Sequence, residues 1–290
     1  MSFDIYAAIT DRVIAELENG VIPWRKPWTG TTTCAISRET GRPYSLLNQM
    51  ILGKPGEYLT WNQVKKEGGN VKKGAKARMV VFWKVYPREK KNADGQTVTD
   101  AEGKPVMEGL PVLRYFNVFH IDDCEGIKPK NTAETTKHAD PIQYAEETFA
   151  GYVARSGVRF ENARQNKAYY SPAQDLIRLP LMEQFTDSAE YYSTLFHEAT
   201  HSTGHPSRLN RLNNTAAAHF GGEEYSKEEL VAEIGAASIL NVLGIETAGT
   251  FKNSTAYIQS WLKALKNDKR LIVSAASRAE KAVKLILNQD

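Results

Sequence analysis

At 290 residues, with 41% hydrophobic residues and a formal charge of +3, the chain can bury a core for one large domain or two ordinary ones and needs no disulfide staples. Its start, MSFDIYAAITDRVIAELENG, lacks the basic opening and continuous apolar stretch of a signal peptide, and no run approaches membrane-spanning length, which points to a cytoplasmic protein without a membrane partner. The two cysteines, Cys34 and Cys124, show no metal-ligand spacing and fit buried thiols in a reducing compartment.

Ile5, Ile9, Val13, Ile14 and Leu17 recur at helical spacing and Gly20 supplies a stop, so the first helix is predicted over residues 4–18. Short apolar runs separated by turns follow. Residues 79–86 (MVVFWKVY) and 110–121 (LPVLRYFNVFHI) read as strands flanking the polar stretch KKNADGQTVTDAEGKP, expected to be a long exposed hairpin loop. Residues 127–140 lack periodicity, and a linker at 129–140 divides the chain into 1–128 and 141–290. PIQYAEETFAGYVARSG suggests a helix, and VRFENARQNKAYYSPAQDLIRLP strands broken by turns. A helix at 187–203 opens with Asp187 and Glu190 at capping-box spacing and closes at Gly204 and Pro206. Helices at 226–244, 253–267 and 269–288 complete the chain. The expected class is α+β: an N-terminal α+β part with an antiparallel sheet, then a mainly helical part with a small sheet.

Within the 187–203 helix, Phe196-His197-Glu198-Ala199-Thr200-His201 places two imidazoles four residues apart, on one face, where both can point at one ion. Glu198 is offset by about 100 degrees of helical turn, so it is free to act on the ion's water rather than ligate. Neutral imidazoles suit Zn²⁺, with Mn²⁺ a second candidate, and an adjacent carboxylate can act as general base. A catalytic ion needs a third protein ligand. The metzincin extension fails, because Ser207 stands where its histidine would be. His205 follows the helix end and suits a structural or supporting role. Glu229 and Glu233, four apart on the 226–244 helix, can share the work: one ligates and the other orients a histidine, with Glu229 preferred and Glu233 next. Ser226 with Glu229 also has capping-box spacing.

Lys and Arg outnumber Asp and Glu over residues 1–130, and the balance tips the other way beyond, so the two halves face different partners. Four of the five tryptophans lie in the basic half, interleaved with cations. Bases stack on aromatic faces while cations follow phosphates, so this mixture suits single-stranded nucleic acid. The candidate contacts are Trp24, Arg25, Lys26, Trp28, Trp61, Lys72, Lys73, Lys76 and Arg78.

VIPWRKPW, GRPYSLLNQMIL, YLTWNQV, GAKARMVVFWK and RYFNVFHIDDCEGI together resemble the N-terminal domain of plasmid ArdC antirestriction proteins, shared with TraC-type plasmid primases. HEATHSTGHPSRLNR and YSKEELVAEIGAASI resemble the metallopeptidase domain of the same family, and the match spans essentially the whole chain. The resemblance implies an N-terminal domain that binds single-stranded DNA and a zincin-like, gluzincin-type metalloendopeptidase domain. The protein would protect incoming conjugative plasmid DNA from host type I restriction. It further implies His197, His201 and Glu229 as metal ligands, Glu198 as the catalytic residue, and a bulkier aromatic where this chain has Ser202. Host restriction subunits or other DNA-bound proteins are the expected substrates. The alternative is a factor that coats single-stranded DNA and whose metal only holds the fold.

Overall fold

The computed structural model describes residues 3–25, 34–130, 140–212, 223–245 and 254–289. Helix α1 (Ile5–Glu18) is capped by the Asp4 carboxylate, which accepts from the Ala7 amide at 3.0 Å, and it buries Ile9, Val13, Ile14 and Leu17. Next come β1 (Ala35–Ser37), α2 (Leu46–Leu52), β2 (Gly56–Thr60) and α3 (Trp61–Lys66). Thr60 and Gln63 close α3 with a reciprocal capping box. Then follow β3 (Asn70–Val71), β4 (Arg78–Glu89), β5 (Met107–His120) and β6 (Cys124–Glu125). The main sheet runs β1-β2-β5-β4, antiparallel except for the β1–β2 pair, and β3 pairs with β6.

The polar stretch between β4 and β5 is not an open loop. Asn92 Oδ1 accepts from the amides of Asp94 and Gln96, and Asp100 Oδ1 from those of Glu102 and Lys104, so the chain folds through two successive side-chain-closed turns. The opening of the predicted linker is also held: Arg38 Nη1 donates to the Lys128 carbonyl at 2.8 Å, and Glu57 Oε2 accepts from the Lys130 amide at 3.0 Å. Residues 131–139 lie outside the described residues.

The second half contains α4 (Pro141–Ser156), β7 (Arg159–Asn162), β8 (Tyr169–Ser171), β9 (Leu176–Leu179), α5 (Ser188–Ser202), α6 (Glu223–Leu243), α7 (Ser254–Asn267) and α8 (Leu271–Leu287). Its sheet runs β7-β9-β8, with β8 on an edge. One core cluster joins α4, β9, α5, α6 and α8 through residues such as Tyr152, Ile177, Phe196, Ile239 and Ile286. The other is drawn from both ends of the sequence: Ile9, Val13 and Leu17 of α1 pack with Leu230 and Ile234 of α6, Trp261 of α7 and Ile272 of α8. The sequence halves thus share one interior. Cys34 is half-buried and Cys124 buried, both as free thiols. Among the described residues no helix is long and apolar enough to cross a membrane.

Candidate metal centre and nucleic-acid surface

Helix α5 begins where Asp187 accepts from the Glu190 amide at 2.8 Å. The Glu190 carboxylate reaches back one residue further than the spacing suggested, to the Thr186 amide at 3.0 Å. One face of α5 buries Tyr192, Leu195, Phe196 and Ala199; His197 and His201, four apart, turn toward α6. The two helices approach closely at Gly235. A Cβ there would sit 2.6 Å from Thr200 Cγ2, so a side chain at this position would require Thr200 or the helices to shift.

His197, His201 and Glu229 each present a ligand atom to one point, all within 4.8 Å of one another. The separations are 3.1 Å between the two Nε2 atoms, 3.5 Å from His197 Nε2 to Glu229 Oε2 and 3.3 Å from His201 Nε2 to Glu229 Oε1. Donors about 2.1 Å from a tetrahedral ion stand about 3.4 Å from each other, so this donor set fits such an ion. Behind each imidazole a second carboxylate faces Nδ1: Glu233 Oε1 at 3.8 Å from His197 and Glu228 Oε1 at 3.6 Å from His201. Carboxylates in that position fix the tautomer and ring orientation of a ligating histidine. Glu228 is itself held by Arg211 Nη2 at 2.7 Å, and the same guanidinium donates to Thr203 Oγ1 and the Thr200 carbonyl. The turn after α5 is thereby bolted to the helix that carries Glu229.

The charge balance suits a cation. Burial opposes a charge on His201, but the Glu228 and Glu229 carboxylates outweigh it and raise its pKa to about 10. His197 is raised against the same desolvation, chiefly by Glu229. Burial would raise Glu229, yet the two imidazoles hold it well below the usual carboxylate range. A divalent ion must displace those protons, because it binds neutral imidazole. Metal affinity is therefore expected to rise with pH across the neutral range. Glu229→Ala should weaken it by about two to three orders of magnitude, the share of one ligand in a typical site. Glu233→Ala and Glu228→Ala should cost about 10–100-fold. Elemental analysis and competition with a chelating dye at several pH values would check this; equal metal content in Glu229→Ala and the parent would remove Glu229 from the ligand set.

His205 lies outside the donor group. Its Nδ1 bonds Ser207 Oγ at 2.7 Å in the turn that follows α5. Ser202 is fully buried and bonds the Tyr152 hydroxyl at 2.7 Å, so it points into the packing of α5 on α4. Glu228 is the residue that helical-face reasoning passed over; its ring of partners, Arg211 and His201, forms only in three dimensions.

The predicted nucleic-acid contacts differ in their exposure. Trp24 is a correction: it is 2% exposed and packs edge-on against Trp261, ring centroids 5.2 Å apart, so no base can stack on it. Lys26 and Trp28 lie outside the described residues, as does the side chain of Arg25. Trp61 is 50% exposed, with Lys65 Nζ 5.3 Å from its ring. Lys72, Lys73 and Lys76 are exposed between β3 and β4, while Arg78 is half-buried and donates to the Leu52 carbonyl at 2.7 Å. Other exposed aromatics, Phe82, Trp83, Tyr115 and Phe116, stand on the β4–β5 hairpin.

A His-Glu-His helix facing a glutamate helix beside a small edge-stranded sheet defines the zincin type of metal-site protein. Residues 147–278 match the zincin-like metallopeptidase family, and residues 3–119 match the N-terminal domain of anti-restriction factor ArdC. The crystal structure of antirestriction ArdC from plasmid R388, metal-free, is 34% identical with a TM-score of 0.73, covering 99% of this chain and all of that one. The Mn(II)-bound structure of the same protein gives the same identity and TM-score and is covered to 98%. The chain belongs to the ArdC antirestriction family. DNA primase TraC of Escherichia coli is 34% identical over 293 residues, a match that takes in 96% of this chain but only 26% of that primase.

Proposed function

We propose that the chain is an antirestriction protein that binds single-stranded DNA and hydrolyses peptide bonds, protecting incoming conjugative plasmid DNA from host type I restriction. The observation that carries the catalytic part is a set of three protein donors among the described residues, beside Glu198, a buried carboxylate that is not one of them. Structural zinc sites are normally closed by four protein ligands, whereas three leave a position for water and substrate. A divalent ion there, zinc first and manganese second, supplies Lewis-acid chemistry at the scissile carbonyl. Glu198 takes a proton from the attacking water and passes it to the leaving amine. Glu228 and Glu233 hold the imidazoles in orientation. Strand β8, on the sheet edge and packed against α5, offers backbone groups to an extended peptide. Holding the chain on DNA concentrates the peptidase near DNA-bound proteins, restriction subunits among them.

A second reading, a DNA-coating factor with a structural metal, is disfavoured by the R388 protein, whose metal-free and Mn(II)-bound structures match this chain with the same TM-score. The test is incubation of the metal-loaded chain with an unfolded polypeptide, with and without single-stranded DNA, and again after chelation. Cleavage that chelation abolishes is expected. No cleavage in any arm, together with intact protection during conjugation into a restricting recipient, would favour the coating factor.

A further inference from the structure

The sequence halves meet in a cleft of about 540 Å³ lined by Tyr6 of α1, Trp83 of β4, Lys227 of α6, Arg270 at the N-cap of α8, and Arg278 and Lys281 along that helix. None of these residues falls within the metal centre. We infer that this cleft is the seat of a single-stranded nucleic-acid segment, an inference that rests on the DNA-binding reading and moves its surface to the junction of the two halves.

Four cations line the cleft against one acidic residue, Asp268, whose carboxylate is engaged by the Arg270 amide at 2.8 Å. Arg278 and Lys281 are exposed and make no ion pair among the described residues. Arg270 makes none either and lies over the Tyr6 ring at 5.1 Å. Arg270, Arg278 and Lys281, three cations without a carboxylate partner among the described residues and gathered in one concavity, are complementary to phosphodiesters. Ser274 and Ser277 share this side of α8 with Arg278 and Lys281, which adds hydroxyl donors along the same line.

Aromatic planes complete the pattern. Trp83 is 48% exposed at the rim, too much for a core residue and suited to a stacking platform. In the β4–β5 register Val81 faces Tyr115, Trp83 faces Leu113 and Val85 faces Pro111, so exposed Tyr115 and Val85 extend the same face of the hairpin beyond the cleft. A free phosphate would use the cations and leave this aromatic surface idle; a strand uses both.

The cleft also borders the metal centre through one element. Lys227 and Val231 face the cleft, while Glu229 and Glu233 face the histidines, so α6 is the wall between them.

The experiment is titration of a fluorescent oligothymidylate by the full-length metal-loaded chain at several salt concentrations, comparing wild type, Trp83→Ala and Arg278→Ala/Lys281→Ala. Metal content and thermal midpoint serve as controls for folding. Trp83→Ala should weaken binding at least about fivefold, the loss of one stacked base. The double variant should flatten the slope of log affinity against log salt by about 1.4, two single-strand phosphate contacts. Wild-type affinity and slope in both folded variants would overturn the cleft while leaving DNA binding intact. Absence of oligonucleotide binding by wild type would overturn the DNA-binding reading as well. Calorimetric binding of thymidine monophosphate or inorganic phosphate that is lost in the double variant, with no strand binding by wild type, would make the cleft a small-anion site and overturn the assignment.

Discussion

Glu198→Ala is expected to take up metal like the parent chain and to lose peptide hydrolysis by about 10²–10⁴-fold, the usual share of a positioned general base. The three donors, His197, His201 and Glu229, come from neighbouring turns of α5 and from α6, and none depends on the Glu198 carboxylate. Glu198 is 8% exposed, so truncation removes the proton carrier with little change of surface. Glu198→Gln keeps the volume and should be equally inactive, which separates a chemical loss from a packing defect. In conjugation into a recipient with type I restriction, the same variants should fail to protect while still binding single-stranded DNA. Full protection by metal-loaded Glu198→Ala would detach the antirestriction activity from hydrolysis.

Trp24→Ala is expected to destabilise the fold by about 3–5 kcal/mol, the range for removing a large aromatic from a packed core. The indole touches Trp261 edge-on and belongs to the cluster formed by α1, α2, α6, α7 and α8, so the cavity would open where the two ends of the chain meet. Its Nε1 is buried and has no hydrogen-bond partner among the described residues. Trp24→Phe, which retains an aromatic ring and removes that unmatched donor, should therefore cost far less. Thermal or urea unfolding would measure both. A Trp24→Ala protein of parental stability but weakened DNA affinity would restore Trp24 to the nucleic-acid surface.

The local elements were legible because their signals are local. Asp187 before an apolar-periodic run places α5, and the expected boundaries of α1, α7 and α8 agree with the structure to within about two residues. The histidine pair and Glu229 could be assigned to faces by helical spacing alone, and the structure brings those atoms together. What spacing could not carry was long-range context. Trp24 and Trp61 look alike in a basic, aromatic-rich stretch, yet one is enclosed by helices from the far end of the chain and the other is half open to solvent. Glu228 sits on the wrong face for ligation by counting residues, but Arg211 draws it behind His201. Short elements such as β1, α2 and β2 offered too few residues for a period to emerge.

The shared interior has a genetic consequence. A boundary near residue 130 invites the view that each half could be exchanged, yet α1 has its apolar face against α6, α7 and α8. Recombination at that boundary would pair two surfaces that never co-evolved and leave both exposed. An intact interior is expected to require both halves together, and in the much longer TraC primase of Escherichia coli the match runs through both as one block of 293 aligned residues.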